Sequence, residues 1–360
     1  MPEPDVRPVR IGTAAPGPVQ AGESGEVGEV GEVVREARAL AGDDVAEVLR
    51  WGATRAPGVP LPGGGATLAR WELLAGVAAQ DLSVARVLEP HLDAVAILAE
   101  AGEDAPPGST WGVWAAEGPG GRLVAHGSDE DGWRLTGTKP WCSLGAVVDH
   151  ALVTAWVDDE RRRLFAVRMD APGIHVDAGT WVPTGLSAVV TTPVSMSAVV
   201  ARPVGATGWY LERDGFWWGG IGVAAVWYGG AVGLARRLAA QLRSRTPDQL
   251  ALMHLGEVDA ALTGARAALA GAAGLVDGGA TTGPAALLLG ARTRHVVATA
   301  VETVSRHVGH ALGPGPLSQE PEHVARVADL ALYVRQHHAE RDAAGLGALL
   351  LEQHDGSAPW

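Results

Sequence analysis

A chain of 360 residues, 47% of them hydrophobic, is too long for one small core and can bury two or three packed subdomains. Its formal net charge of −13, with no basic run longer than Arg161-Arg162-Arg163, excludes the cationic face with which a nucleic-acid binder displaces counterions. One cysteine makes neither an internal disulfide nor a cysteine-based zinc site, which points to a reducing cytoplasm. No early segment has the charged flank, apolar core and small-residue cleavage site of a signal peptide, and the longest apolar stretches, broken by Gly or charge, are expected to fall short of a membrane span.

Residues 1–30 are rich in Pro, Gly and Glu and include most of the repeat GEVGEVGEV at 25–33. So little apolar surface predicts a flexible arm, and the repeat is too short for a solenoid. From 31 to 104, apolar residues recur three and four apart in VVREARAL, in VAEVLRWG and in the long block LARWELLAGVAAQDLSVARVLEPHLDAVAILAEAG. This is an N-terminal helical domain, with Pro90 splitting the long block and Gly102 stopping it.

Between 105 and 208 the texture changes to short β-branched or alternating runs, among them TWGVWAA, RLVAHGS, WRLTGTK, HALVTAWV and RLFAVRM, separated by Gly, Asp and Pro. They predict a β unit of six to eight strands, barrel or sandwich rather than parallel sheet, with the three arginines at a solvated hairpin turn. From 209 to 347 a helical bundle follows. It opens on the Gly- and Ala-rich GIGVAAVWYGGAVGLARRLAAQLRSR and continues with helices near 249–276, 284–311 and 321–346, broken hard at Gly313-Pro314-Gly315-Pro316. Residues 348–360 form a tail. The fold class is therefore α+β multi-domain: an N-terminal helical domain, a central antiparallel β-barrel or sandwich, and a C-terminal helical bundle.

No Gly-x-Gly-x-x-Gly opens a helix after a strand, and neither a Walker sequence nor a Gly-x-Ser-x-Gly elbow occurs. His307 and His310 sit three apart, but no nearby carboxylate completes a ligand set, so no metal is expected. The segment GTKPWCS at 137–143 is more informative. A strand ending WRLTGTK followed by PWCSLGAVVDHALVTAW resembles the acyl-CoA dehydrogenase family of flavoproteins, and three further blocks fit in the same order: the paired helices before the β unit, WGVWAAEGPGG, and the glycine-rich helix that opens the bundle. The likeness runs from about 35 to 347.

The resemblance implies an FAD cofactor. Trp141 would pack on the flavin ring, Ser143 would hydrogen-bond its edge, and Cys142 between them would be filler facing away. Glu117 would line the flavin from the preceding strand, with Ala116 standing where the family has a threonine. Arg245 matches an arginine that reaches the cofactor phosphates of a neighbouring subunit, although TPDQL replaces the usual Phe-Gly after it. Gly309, Gly313 and Gly315 stand near the family's Gly-Gly-x-Gly receiver for the diphosphate. The usual catalytic glutamate is missing: eight residues past Asp329 comes His337, and residues 216–235 hold no acid.

Three readings follow. The first is oxidation of an acyl-thioester or related acyl substrate, CoA-linked or free. The second is a flavin-dependent monooxygenase on the same scaffold, with His337 or His338 as its proton-handling group. The third is a scaffold that binds an acyl partner or another subunit without chemistry. The Trp217-Trp218 and Trp227-Tyr228 pairs fit either an acyl pocket or core packing. A homodimer or homotetramer is expected, since the Gly/Ala-rich bundle needs partners and the family shares its cofactor sites between subunits.

Overall fold

The computed structural model describes residues 6–12, 24–42, 44–177, 179 and 181–353. Its N-terminal region holds α1 (Ser24–Ala39), α2 (Val45–Arg55), α3 (Thr67–Gln80) and α4 (Leu82–Glu100). Asp44 caps α2 by accepting from the Ala46 N–H at 2.9 Å. The break expected at Pro90 falls at Asp81 instead. Asp81 is extended, and its carboxylate accepts from the Val84 N–H at 2.9 Å, starting α4. Pro90 sits inside α4 and removes one backbone donor, but Leu88 and Leu92 on either side are each 1% exposed. Burial of both flanks holds the helix through the proline.

Residues 1–5 and 13–23 of the expected flexible arm lie outside the described residues. The segment between them is no arm. Val9 and Ile11 are buried, and the N–H groups of Ile11 and Gly12 donate to Glu72 on α3 at 2.6 and 2.9 Å. Two apolar side chains and one carboxylate override the Pro/Gly composition. The GEVGEVGEV repeat is helical, since α1 begins at Ser24.

The β unit has seven strands: β1 (Trp111–Trp114), β2 (Leu123–Ser128), β3 (Gly132–Ser143), β4 (His150–Trp156), β5 (Arg162–Arg168), β6 (Ile174–Val176) and β7 (Thr191–Val204). The ring β4-β2-β3-β7-β5 closes back onto β4, so these five strands form a barrel whose edges are paired. β6 pairs with β7, and β1 lies beside β4. Two pairings, β1–β4 and β2–β4, are parallel, so the unit is mixed rather than wholly antiparallel.

The C-terminal bundle comprises α5 (Trp209–Glu212), α6 (Asp214–Arg243), α7 (Gln249–Asp277), α8 (Pro284–Leu312), α9 (Pro314–Gln319), α10 (Pro321–Tyr333) and α11 (Glu340–Gln353). The helix expected across 321–346 is broken. A 3-10 turn at Val334–Gln336 follows α10, and Ala339 has φ 46° just before α11, which itself runs into the expected tail. Residues 354–360 lie outside the described residues. Asp329 on α10 ties the bundle to the barrel, accepting from the Leu186 N–H at 2.6 Å and the Ser83 hydroxyl at 3.2 Å.

Among the described residues α6 alone is long and apolar enough to cross a bilayer, contrary to the expectation that every apolar stretch falls short. Within this fold it is a core helix, with 67% of its most apolar window buried in the protein. Its glycines explain how it packs so closely. A Cβ on Gly229 would lie 2.2 Å from the Ala75 carbonyl oxygen and 2.7 Å from the Ala75 Cα, so α3 and α6 touch backbone to backbone.

Gly229→Ala is therefore expected to destabilise the fold by about 1–3 kcal/mol through overpacking. Gly256→Ala on α7, where a Cβ meets nothing within 4 Å, is expected to be neutral or stabilising by up to about 1 kcal/mol. Urea unfolding of the two variants checks the contrast, and equal losses would refute it.

Candidate functional site

The end of β3 carries a register shift between Lys139 and Cys142, and inside that bulge Trp141 adopts φ 58°. A left-handed residue within a strand turns its side chain out of the alternation. The result is an indole 54% exposed beside a fully buried Cys142 and a half-buried Ser143. The indole lies over Gly118, where a Cβ would come within 2.8 Å of Trp141 Nε1. Cys142 is sealed in the barrel, its thiol donating to the Lys139 carbonyl at 3.2 Å, and burial pushes it up to about 12.

Glu117 lies one residue before the glycine that seats the indole, and its carboxylate is already engaged. Lys139, fully buried, reaches it, and Arg162 and the Trp156 Nε1 bond it at 3.1 and 3.3 Å. Burial alone would raise this carboxyl; the two cations more than offset that and hold it below its ordinary value. Glu117 thus serves as the counter-charge for a lysine inside the barrel. Of the arginine run, Arg161 is solvated and pairs with Asp158, whereas Arg162 and Arg163 lie in β5 and bond inward to Ala115 and Gly205.

Ser143 opens onto a polar seam between barrel and helices. Arg86 on α4 donates to its hydroxyl at 3.2 Å, and Thr191 Oγ1 lies 2.9 Å away. The same guanidinium lies 5.4 Å from the centre of the Tyr333 ring and 3.4 Å from Glu89 Oε2, which also accepts from the Tyr333 hydroxyl at 3.1 Å. Arg86, Glu89 and Asp93 fall three and four apart, on one face of α4. Burial raises Glu89 to about 6, against the opposing pull of Arg86 and with Asp93 reinforcing it. Asp93 is raised for the same reason, burial outweighing Arg213 and Arg70. Arg294 on α8 lies 4.8 Å over the Trp227 ring and bonds the carbonyls of Gly220 and Gln336 at 2.6 and 3.3 Å.

That last contact leads to His337. The two histidines sit in the break between α10 and α11 and part company there: His337 is 6% exposed, while the side chain of His338 is 62% exposed and faces Asp342 at 3.3 Å. His337 Nδ1 accepts from the Ala339 N–H at 3.1 Å. Burial lowers its basicity, so the neutral ring carries its proton on Nε2. Nε2 is buried with no hydrogen-bond partner, as are the indole nitrogens of Trp227, Trp218 and Trp71. A buried donor without a partner, such as His337 Nε2, is a group that a polar ligand would satisfy. With the exposed indole and the Ser143 hydroxyl, the residues present fit a flavin ring.

Arg245 lies exposed past the end of α6. Gly309 is in the last turns of α8, and Gly313, with φ 65°, joins α8 to α9. The three make no hydrogen bond with Trp141, Ser143 or His337 among the described residues. Gly315 lies inside α9, so the Gly/Pro segment forms one corner rather than an open receiving loop. Trp227 and Tyr228 are core, whereas residues 216–220, including Trp217 and Trp218, are only half-buried. Sequence reasoning missed Arg86, Glu89, Asp93, Thr191, Tyr333 and Arg294. The one local signal was three charges on a single face of an otherwise apolar α4; their partners lie too far along the chain to be read.

No family model matches the chain. A 64-residue segment is 34% identical to the candidate acyl-CoA dehydrogenase YdbM of Bacillus subtilis (strain 168), taking in 17% of this chain and only 16% of that protein's length. Among solved structures, KijD3, in complex with FMN and dTDP-3-amino-2,3,6-trideoxy-4-keto-3-methyl-D-glucose, superposes with a TM-score of 0.75 at 19% identity, covering 94% of this chain and 96% of that one. TdsC from Paenibacillus sp. A11-2, in complex with FMN and indole, gives 0.74 at 17% identity, covering 92% and 98%. The chain has the acyl-CoA dehydrogenase-like fold.

A thiol raised to about 12 leaves almost no thiolate at pH 8. Cys142 is expected to resist iodoacetamide in the native chain at that pH and to react fully once the chain is denatured; rapid native labelling, followed by mass spectrometry, would contradict its place in the barrel.

Proposed function

We propose that this protein is a flavin-dependent oxidoreductase that works as a monooxygenase on the acyl-CoA dehydrogenase-like scaffold. The observation that carries the reading is His337, a neutral imidazole with an unpartnered Nε2 donor at the point where the family resemblance looks for a glutamate. TdsC is described as a dibenzothiophene monooxygenase, and both KijD3 and TdsC are seen with FMN, which supports the choice. The resemblance alone implies FAD. FMN is favoured here because the Gly313 corner offers no open loop for an FAD diphosphate.

When bound, reduced flavin supplies the two electrons with which dioxygen is divided between substrate and water. Trp141 would cover the ring and shield it from water. Ser143, oriented by Arg86, hydrogen-bonds the ring edge. His337 holds a proton at Nε2 and would serve there as a neutral donor.

A second reading, dehydrogenation of an acyl thioester, is supported by the buried carboxylate of Glu89 and by the half-buried tryptophans of α6. Anaerobic reduction of the bound flavin by octanoyl-CoA would select it. A small-molecule substrate, a cytoplasmic setting and a homodimer or homotetramer belong to the proposal. The exposed Leu250, Leu252, Met253 and Leu275 of α7 support association.

The purified chain is expected to bind FMN, visible as a shifted flavin absorption band. Trp141→Ala is expected to weaken binding by roughly fivefold, the worth of about 1 kcal/mol of ring contact. His337→Ala is expected to retain flavin yet lose about 100-fold or more in the FMN-dependent oxidation of indole as probe. A wild-type chain that binds no flavin would sink the reading.

A further inference from the structure

We propose that Glu89 is the proton-accepting group of this site, its carboxylate delivered from α4 rather than from the C-terminal bundle. This rests on the flavin reading above and concerns the compound oxidised beside Ser143. The two carboxylate oxygens are used unequally. Oε2 takes both the Tyr333 hydroxyl at 3.1 Å and the Arg86 guanidinium at 3.4 Å, whereas Oε1 makes no hydrogen bond among the described residues. Arg86 spans from Oε2 to the Ser143 hydroxyl, so one guanidinium separates Glu89 from the residue implied to hold the flavin edge. The charged and ionisable groups that act on the carboxylate are Arg86 and Asp93 from α4, Arg70 from α3, Tyr210 from α5, Arg294 from α8 and Tyr333 from α10.

The balance of these groups suits an acceptor. Burial and Asp93 resist ionisation while Arg86, Tyr333 and Arg70 favour it, and the outcome of about 6 leaves the group largely ionised at pH 7 yet basic enough to take a proton. His337 is set the opposite way, neutral and donating. The surroundings thus push Glu89 and His337 toward complementary roles, one accepting and one donating a proton. The substrate class follows: an electron-rich compound with an acidic N–H or O–H. That bond breaks, its electron pair stays on the substrate, and the proton forms an O–H bond at Glu89 Oε1. It returns to solvent when product leaves.

The test uses the full chain and the isosteric variant Glu89→Gln, its folding checked by circular dichroism. In the flavin-free protein, infrared spectroscopy is expected to show a protonated-carboxyl band titrating near pH 6 in the wild type and missing from the variant. Tyr333→Phe removes a hydrogen bond that favours the ionised form, so its band is expected to shift to higher pH, and this arm stands if Glu89→Gln does not fold. With FMN as probe, the wild-type dissociation constant is expected to change across the same midpoint, and the change is lost in Glu89→Gln. A loss of about 100-fold in indole oxidation by the variant completes the expectation. Normal FMN binding with an unchanged pH profile and rate in Glu89→Gln, or a wild-type band in the ordinary carboxylate range, overturns the assignment of Glu89 alone. A wild type that binds neither FMN nor FAD overturns the flavin reading, and this role with it.

Discussion

The guanidinium of Arg86 is the contact on which the site depends. From α4 it reaches Ser143 at the end of a barrel strand, Glu89 on its own helix and the ring of Tyr333 in the C-terminal bundle. Three structural units are thereby joined at one side chain. The joint is largely shielded from water, the Arg86 and Glu89 side chains being 14% and 11% exposed, so a polar atom left unpaired in it loses free energy. Arginine suits the position because its planar fork offers several donors at fixed angles and stays charged when buried. A lysine there would present one point charge and could not address the serine and the carboxylate in the same way.

Around this joint the chain alternates rigid and open surfaces. The barrel closes on itself and buries a lysine against Glu117, an arrangement that anchors the strand leading into the bulge at Trp141. Glycine lets α6 press backbone against backbone on α3, while its N-terminal turns remain half-buried opposite Asp93 and Arg294. At Gly229 the helix meets the α3 backbone, whereas toward its N-terminus Gly219 and Gly220 lie against the Asp93 carboxylate and the Arg294 side chain.

The two histidines show how little a neighbouring position says about a role. They are adjacent in the chain and chemically identical, and both face Asp342, yet one is buried with no hydrogen bond at Nε2, 3.9 Å from that carboxylate, and the other is solvated. The break between α10 and α11 separates them, and a continuous helix would have placed both differently. Glu117 and Glu89 invert the same lesson. The glutamate beside the motif is consumed in neutralising a buried lysine, and the one embedded in an apolar helix keeps an oxygen free.

The order of helices, β unit and helices was readable in the sequence, because hydrophobic periods of 3.6 and 2 residues are properties of short windows. The run from Gly137 to Ser143 was readable too, since its residues are contiguous and their order carries the resemblance. What one window cannot hold was decided by the tertiary structure. The parallel pairing of β1 with β4, the burial of Val9 and Ile11, the passage of α4 through Pro90 and the break at residues 334–339 each depend on contacts from distant segments. The Arg86–Glu89–Tyr333 seam belongs with them. Its members are 247 residues apart at the widest, and only the fold removes the water that would otherwise screen their charges.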